Sequence, residues 1–187
     1  MCYCGFRLVR CEVEPYVLRM SDIRESIISV KSALAAKSDA GPAPDRPAVA
    51  VIEDGLRCRT EGADGWTVVT DMPAAVGGAG AAPTLGWLIR AALASCAVTT
   101  IAMRAAELDL PLTRLEVTAE SATDMRGILG VGDGVDPGPV SARLRVRLAA
   151  AADEQRLEEL VQWADSHSPV GDCVRRAVPV ELEITAE

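Results

Sequence analysis

The chain has 187 residues, 49% of them hydrophobic, and a formal net charge of −8 at pH 7. That length suits one soluble domain with enough apolar surface to bury a core, and the acidic balance, with no Lys/Arg block interleaved with aromatics, lacks the electrostatic footprint of a nucleic-acid binder. Aromatics are only 3% of the residues, so the core has to be built from Ala, Val and Leu by close backbone approach, which favours helix–sheet packing.

Met1 to Arg19 show neither helical nor strand periodicity, whereas Met20 is followed by Ser21-Asp22-Ile23-Arg24-Glu25. Ser21 is a natural N-cap and the acids suit the first turn. We therefore expect Met20 to be the initiator and residues 1–19 to be a non-native or disordered leader. No charged, apolar and small-residue regions follow one another as in a secretion signal, so the expected compartment is the cytoplasm. Ile23, Ile27, Val30 and Leu34 recur at helical spacing and predict an amphipathic helix from Ser21 to about Lys37. The run Gly41-Pro42-Ala43-Pro44-Asp45-Arg46-Pro47 cannot continue it, because proline lacks the N–H and clashes with the preceding turn. The expected division is thus a leader (1–19), a helix with a Pro-rich linker (20–46) and the main domain (47–187).

From Ala48 to Asp71 the β-rich runs AVAVIE, LRCRTE and WTVVTD, separated by Asp54-Gly55 and by Gly62-Ala63-Asp64-Gly65, predict a three-strand antiparallel meander. Met72 to Ala82 is a Gly/Ala loop without phosphate-loop spacing, read as a flexible connection. Pro83 or Thr84 opens a helix running to about Leu108, with apolar residues around nearly its whole circumference. A helix apolar all round must be buried. Its most apolar stretch, Ala91 to Met103 between Arg90 and Arg104, falls short of the roughly 20 residues a membrane span needs, so no membrane association is expected. Strands follow at Thr113–Ser121 and Val140–Ala149, flanking an irregular Gly/Asp loop. Then come a helix from Asp153 to Ser166, a break at Ser168-Pro169, a short helix to Arg176 and a last strand, Val178 to Ile184.

Strands in runs rather than in alternation with helices make the class α+β. One six-stranded sheet covers only one side of an apolar helix, so a second subunit is the simplest source of further cover, and an obligate homodimer is predicted. The six cysteines, at positions 2, 4, 11, 58, 96 and 173, lack the dense spacing of a disulfide scaffold. Cys2 and Cys4 have no second ligand pair, and His167 is the sole histidine; neither a metal nor a cofactor is expected.

Two segments carry a resemblance to a known family. Leu88-Ile89-Arg90-Ala91-Ala92-Leu93-Ala94-Ser95-Cys96-Ala97-Val98 resembles the central "LLAAALAAC" helix of the OsmC/Ohr proteins, and Ala164-Asp165-Ser166-His167-Ser168-Pro169-Val170 resembles their second motif, "A…CPV". Arg126-Gly127-Ile128-Leu129-Gly130 looks like the family's turn between the fourth and fifth strands. The resemblance covers about Pro47 to Ile184. It implies the βββαββααβ fold, an intertwined homodimer around a buried central helix, and a role in oxidative stress through thiol-dependent reduction of organic hydroperoxides at Cys96. Two departures bear on that chemistry. Ser168 stands where the family places its resolving cysteine, and a serine cannot attack a sulfenic acid to form a disulfide. Thr84-Leu85-Gly86-Trp87 replaces the acidic pair that opens the cysteine helix in many members, and no arginine lies between Asp71 and Pro83. Activity is therefore expected to be weak or dependent on an external thiol. The alternative is a non-catalytic dimer that binds a small apolar ligand at the subunit interface.

Several residues keep two readings. Cys96 is either a reactive thiol or an inert core cysteine, because a reactive sulfur needs a cation or a helix N-terminus and Cys96 lies well inside its helix. Arg57, Arg59 and Arg126 are the candidate cations. His167 either protonates a leaving alkoxide or closes a helix. Cys173 is a displaced resolving thiol or a packing residue, Cys58 reads as core, and Trp87 and Trp163 read as walls of an apolar pocket at the dimer seam.

Overall fold

The computed structural model describes residues 20–37, 41–176 and 178–186; the reading of residues 1–19 lies outside them. Helix α1 (Met20–Ala35) leads to the antiparallel meander β1 (Ala48–Asp54), β2 (Arg57–Gly62) and β3 (Thr67–Thr70). Gly55, with φ of +55°, makes the turn between β1 and β2, the left-handed geometry that the Asp-Gly pair announces. The central helix α2 (Leu85–Glu107) follows, capped by Thr84, whose Oγ1 accepts the Trp87 N–H at 3.2 Å. Then come β4 (Leu112–Thr123), the single turn α3 (Met125–Ile128), β5 (Pro139–Ala150), α4 (Glu154–Ser166) and α5 (Pro169–Arg175).

The long hairpin β4–β5 pairs Leu115 with Leu148, Val117 with Val146 and Ala119 with Leu144. Period-2 alternation turns one row of these side chains toward the core. The opposite face holds cross-strand ion pairs, Glu120 with Arg145 at 2.9 Å and Glu116 with Arg147 at 3.4 Å. Ile101, Ala105, Leu110, Leu160 and Ala164 form the buried cluster, with Leu112, Leu115, Val117, Val146 and Leu148 packed against it. The core thus sits where the C-terminal half of α2 meets α4 and the hairpin. Helix α1 closes the other flank through Lys31–Glu107, Arg24–Asp109 at 3.9 Å and the half-buried Ile23 and Ile27.

The structure corrects three expectations. The strands form a three-stranded and a two-stranded sheet rather than one of six, and residues 178–184 form no strand. A strand exists only where an edge accepts its ladder, and among the described residues no edge does so: Val180, Leu182 and Ile184 are 89%, 83% and 81% exposed. Helix α2 is not buried all round, because only Leu93, Ala97, Ile101, Ala105 and Ala106 are buried, and Leu85, Trp87, Ile89 and Met103 remain open. One hairpin and three helices cannot encircle 23 residues of helix. Finally, the Gly/Ala loop is an organised structure. Asp71, 2% exposed, accepts N–H bonds from Met72 at 2.7 Å, Ala81 at 3.0 Å and Ala79 at 3.2 Å. Within this loop a Cβ on Gly78 would stand 1.8 Å from the Met72 carbonyl oxygen, so the backbone could not close around a larger residue.

Candidate functional site

Helix α2 brings Cys96, half-buried, to the point where the break between α4 and α5 crosses it. Ser168 is at that break because Pro169 cannot continue α4 but suits the first turn of a new helix. Its hydroxyl caps α5, accepting the Gly171 N–H at 3.0 Å. The same oxygen lies 3.1 Å from the Cys96 sulfur. Residues far apart in sequence, singled out there as the sulfur and as its non-thiol counterpart, are therefore in direct contact.

Gly171 is buried against this pair, and a Cβ on it would stand 3.0 Å from both Ser168 Oγ and Arg175 Nη1. The Arg175 guanidinium in turn grips the Asp165 carboxylate at 2.7 and 2.8 Å and reaches its carbonyl at 3.3 Å. A bidentate pair of this kind sets geometry better than a single point contact; here it ties the end of α5 back to the last turn of α4. Gly171 also lines a cavity of about 560 Å³, whose wall combines Leu93, Ala97, Ile101, Leu144 and Val146 with the polar Arg143, Asp165 and Arg175; neither Cys96 nor Ser168 lines it.

The other residues singled out from the sequence lie elsewhere. Arg126 is on α3 and directs its side-chain hydrogen bonds to Asp124, at 2.5 to 3.1 Å; this pairing holds the Asp124 carboxyl below its usual range and raises the guanidinium above its own. Arg57 and Arg59 pair with Glu53 on the meander, at 3.2 and 2.7 Å. His167 adjoins Ser168 in the chain, but its ring stacks on Trp163 with centroids 3.9 Å apart, and its Nδ1 lies 2.7 Å from the Trp163 carbonyl oxygen, so it donates there. On the same indole lies Arg104, 4.3 Å from the ring centroid. Cys58 shares a second apolar cavity, of about 430 Å³, with Leu56, Met72 and Met125, and Cys173 is exposed on α5. Sequence reasoning missed Gly171, Arg175 and Asp165. The spacing Ser168-x-x-Gly171 was the available signal for a capped turn, but the Asp165–Arg175 grip spans a helix break and has no periodic signature.

These elements and this contact define the class: an α+β protein with a cysteine on its central helix, met by the corner between two following helices. The family model for OsmC-like protein matches residues 78–183, and the chain belongs to that family. Among solved structures, the chain is similar to an OsmC-like protein from Mycoplasma pneumoniae, at 11% identity and a TM-score of 0.61 over 73% of this chain and 91% of that one. An organic hydroperoxide resistance protein OsmC from Legionella pneumophila aligns at 22% identity and a TM-score of 0.51, over 72% and 92%. An organic hydroperoxide resistance protein from Elizabethkingia anophelis aligns at 15% identity and a TM-score of 0.52, over 74% and 93%. At these identities the likeness concerns the fold. No curated protein matches the chain.

Proposed function

We propose that this OsmC-like protein reduces organic hydroperoxides through Cys96 and depends on an external thiol to complete the cycle. The observation that carries this reading is the 3.1 Å contact between the Cys96 sulfur and Ser168 Oγ, at the two positions where the family motifs are matched. The names of the Legionella and Elizabethkingia structures, organic hydroperoxide resistance proteins, support the substrate class. In the proposed step the Cys96 thiolate attacks the distal peroxide oxygen, the O–O bond breaks, and the alkoxide leaves and takes a proton to become an alcohol. Cys96 is left as a sulfenic acid. With a hydroxyl facing it instead of a thiol, the sulfenic acid is attacked by a small thiol, water leaves, and a second thiol then cleaves the mixed disulfide. His167 and Arg126, carried over from the sequence as supporting residues, would need to leave Trp163 and Asp124 to take part.

The working unit in this proposal is a cytoplasmic homodimer whose OsmC-like domain is residues 47–187, with α1 added to its flank. Support comes from the apolar surface the single chain leaves open: Val49, Val51 and Ile52 on β1, Leu85 and Ile89 on α2, and Val180, Leu182 and Ile184 at the end. A second reading is a non-catalytic dimer that holds a small apolar molecule at the subunit interface, supported by the apolar residues of α2 that stay exposed, Leu85, Ile89 and Met103. Consumption of cumene hydroperoxide with dithiothreitol or dihydrolipoamide, together with dimedone trapping, separates the two. The peroxidase reading expects a sulfenic-acid adduct at Cys96 and complete loss of turnover in Cys96→Ser. No adduct and no turnover, with an apolar molecule co-purifying, would establish the second.

A further inference from the structure

We infer that Ser168 is a hydrogen-bond donor to the Cys96 sulfur, so that the residue at the helix corner stabilises the sulfur as it becomes anionic rather than attacking it. This deepens the thiol chemistry proposed above and rests on Cys96 being the nucleophile. Ser168 is 5% exposed, and its oxygen already accepts the Gly171 N–H at 3.0 Å. Its hydroxyl hydrogen still needs an acceptor, because a buried hydroxyl without one is costly. Among the described residues the acceptor in place is the Cys96 sulfur at 3.1 Å. Were the thiol to donate to the serine instead, the serine hydrogen would have no hydrogen-bond acceptor among the described residues.

A neutral thiol is a weak acceptor, whereas a thiolate forms a charge-assisted bond. The interaction therefore strengthens as negative charge develops on sulfur, which is the condition for aiding a reaction rather than merely stabilising the resting protein. Three features hold the donor in place: the N–H of Gly171, the close fit in which a Cβ on that glycine would stand 3.0 Å from Ser168 Oγ, and the Arg175–Asp165 grip across the corner. No charged side chain among the described residues hydrogen-bonds the sulfur, so the serine supplies what a neighbouring cation would otherwise provide.

The test is the rate of iodoacetamide alkylation of Cys96 in the full chain, followed peptide by peptide with the exposed Cys173 as internal reference, at about pH 7 and about pH 10. Ser168→Ala is expected to slow Cys96 about tenfold near neutrality and to match the parent protein at the higher pH, where thiols ionise without help. Gly171→Ala keeps the hydroxyl but crowds it, and should produce a smaller neutral-pH loss of about threefold, preserving the test if Ser168→Ala folds poorly. Equal or faster alkylation at neutral pH, or the same factor at both pH values, would overturn the donor role. Hydroperoxide consumption measured on the same samples keeps the two ideas apart: a parent protein without turnover but with the pH-dependent serine effect rejects the peroxidase and retains the donor.

Discussion

The two sides of α2 have nearly the same composition and opposite roles. On the packed side Leu93, Ala97, Ile101 and Ala105 are buried, Ile101 to 1% and Ala105 to 0%, because α4 and the β4–β5 hairpin close over them. On the other side Leu85, Ile89, Ala92, Cys96, Thr99 and Met103 follow one another at alternating spacings of four and three residues, and apart from the half-buried Cys96 all of them are exposed. That spacing is the seam along which helices pair. One helix thus anchors the fold with one face and carries its half-buried sulfur at the margin of the other, which the described residues leave open. What separates the faces is coverage, not hydrophobicity.

Substitutions on the packed side should have the largest effect. Leu160→Ala or Ile101→Ala should cost about 2–4 kcal/mol in urea unfolding while leaving the ratio of Cys96 to Cys173 alkylation unchanged in the folded protein; a change in that ratio would mean the two faces are coupled. Ile89→Glu tests the open side. In the proposed dimer it should leave monomer stability almost intact yet weaken self-association by about a hundredfold or more in analytical ultracentrifugation, because a carboxylate would be carried into an apolar contact; an unchanged sedimentation profile would rule out pairing along this face of α2. A smaller effect concerns acid. The N–H bonds from Ala81, Met72 and Ala79 hold the Asp71 carboxyl below its usual range against the opposing pull of burial. Its contribution to stability is thus complete above the unfolded value of about 3.9 and is lost as pH falls through the lower, folded one. Thermal melts of Asp71→Asn should accordingly start lower at neutral pH and change less on acidification. Smallest of all, Arg175→Ala removes an ion pair whose side chains are 55% and 46% exposed. Its stability cost should stay within about 1 kcal/mol, and its effect should be seen in a modest slowing of Cys96 alkylation rather than in the melting temperature.

Much of this arrangement was legible residue by residue. The Ile23/Ile27 spacing, the Asp54-Gly55 turn, the helix opening at Pro83 or Thr84, the alternation through Leu115, Val117 and Ala119, and the Ser168-Pro169 break each found their element, because each reflects a local rule. The contact between Cys96 and Ser168 was approached through the family motifs and could not have been read from spacing alone. Other features escaped for identifiable reasons. A buried carboxylate that gathers N–H groups from up to ten residues ahead leaves no period, so the Asp71 loop looked flexible. His167 has chemistry suited to a site, but the indole beside it is the better partner for its ring. Arg175 resembles any exposed arginine until α5 folds back on Asp165.

By itself the sequence determined the class, the order of the elements, the apolar character of α2 and the place of the sulfur on it, since propensity, capping and hydrophobic period act within a few residues. Only the tertiary structure decided which face of α2 is closed, that Ser168 reaches the sulfur, that the sheet divides, and that the last apolar residues stay without a ladder. These are matters of which surfaces and edges find partners across the whole chain, and pairing at that range depends on the packed geometry rather than on any local pattern.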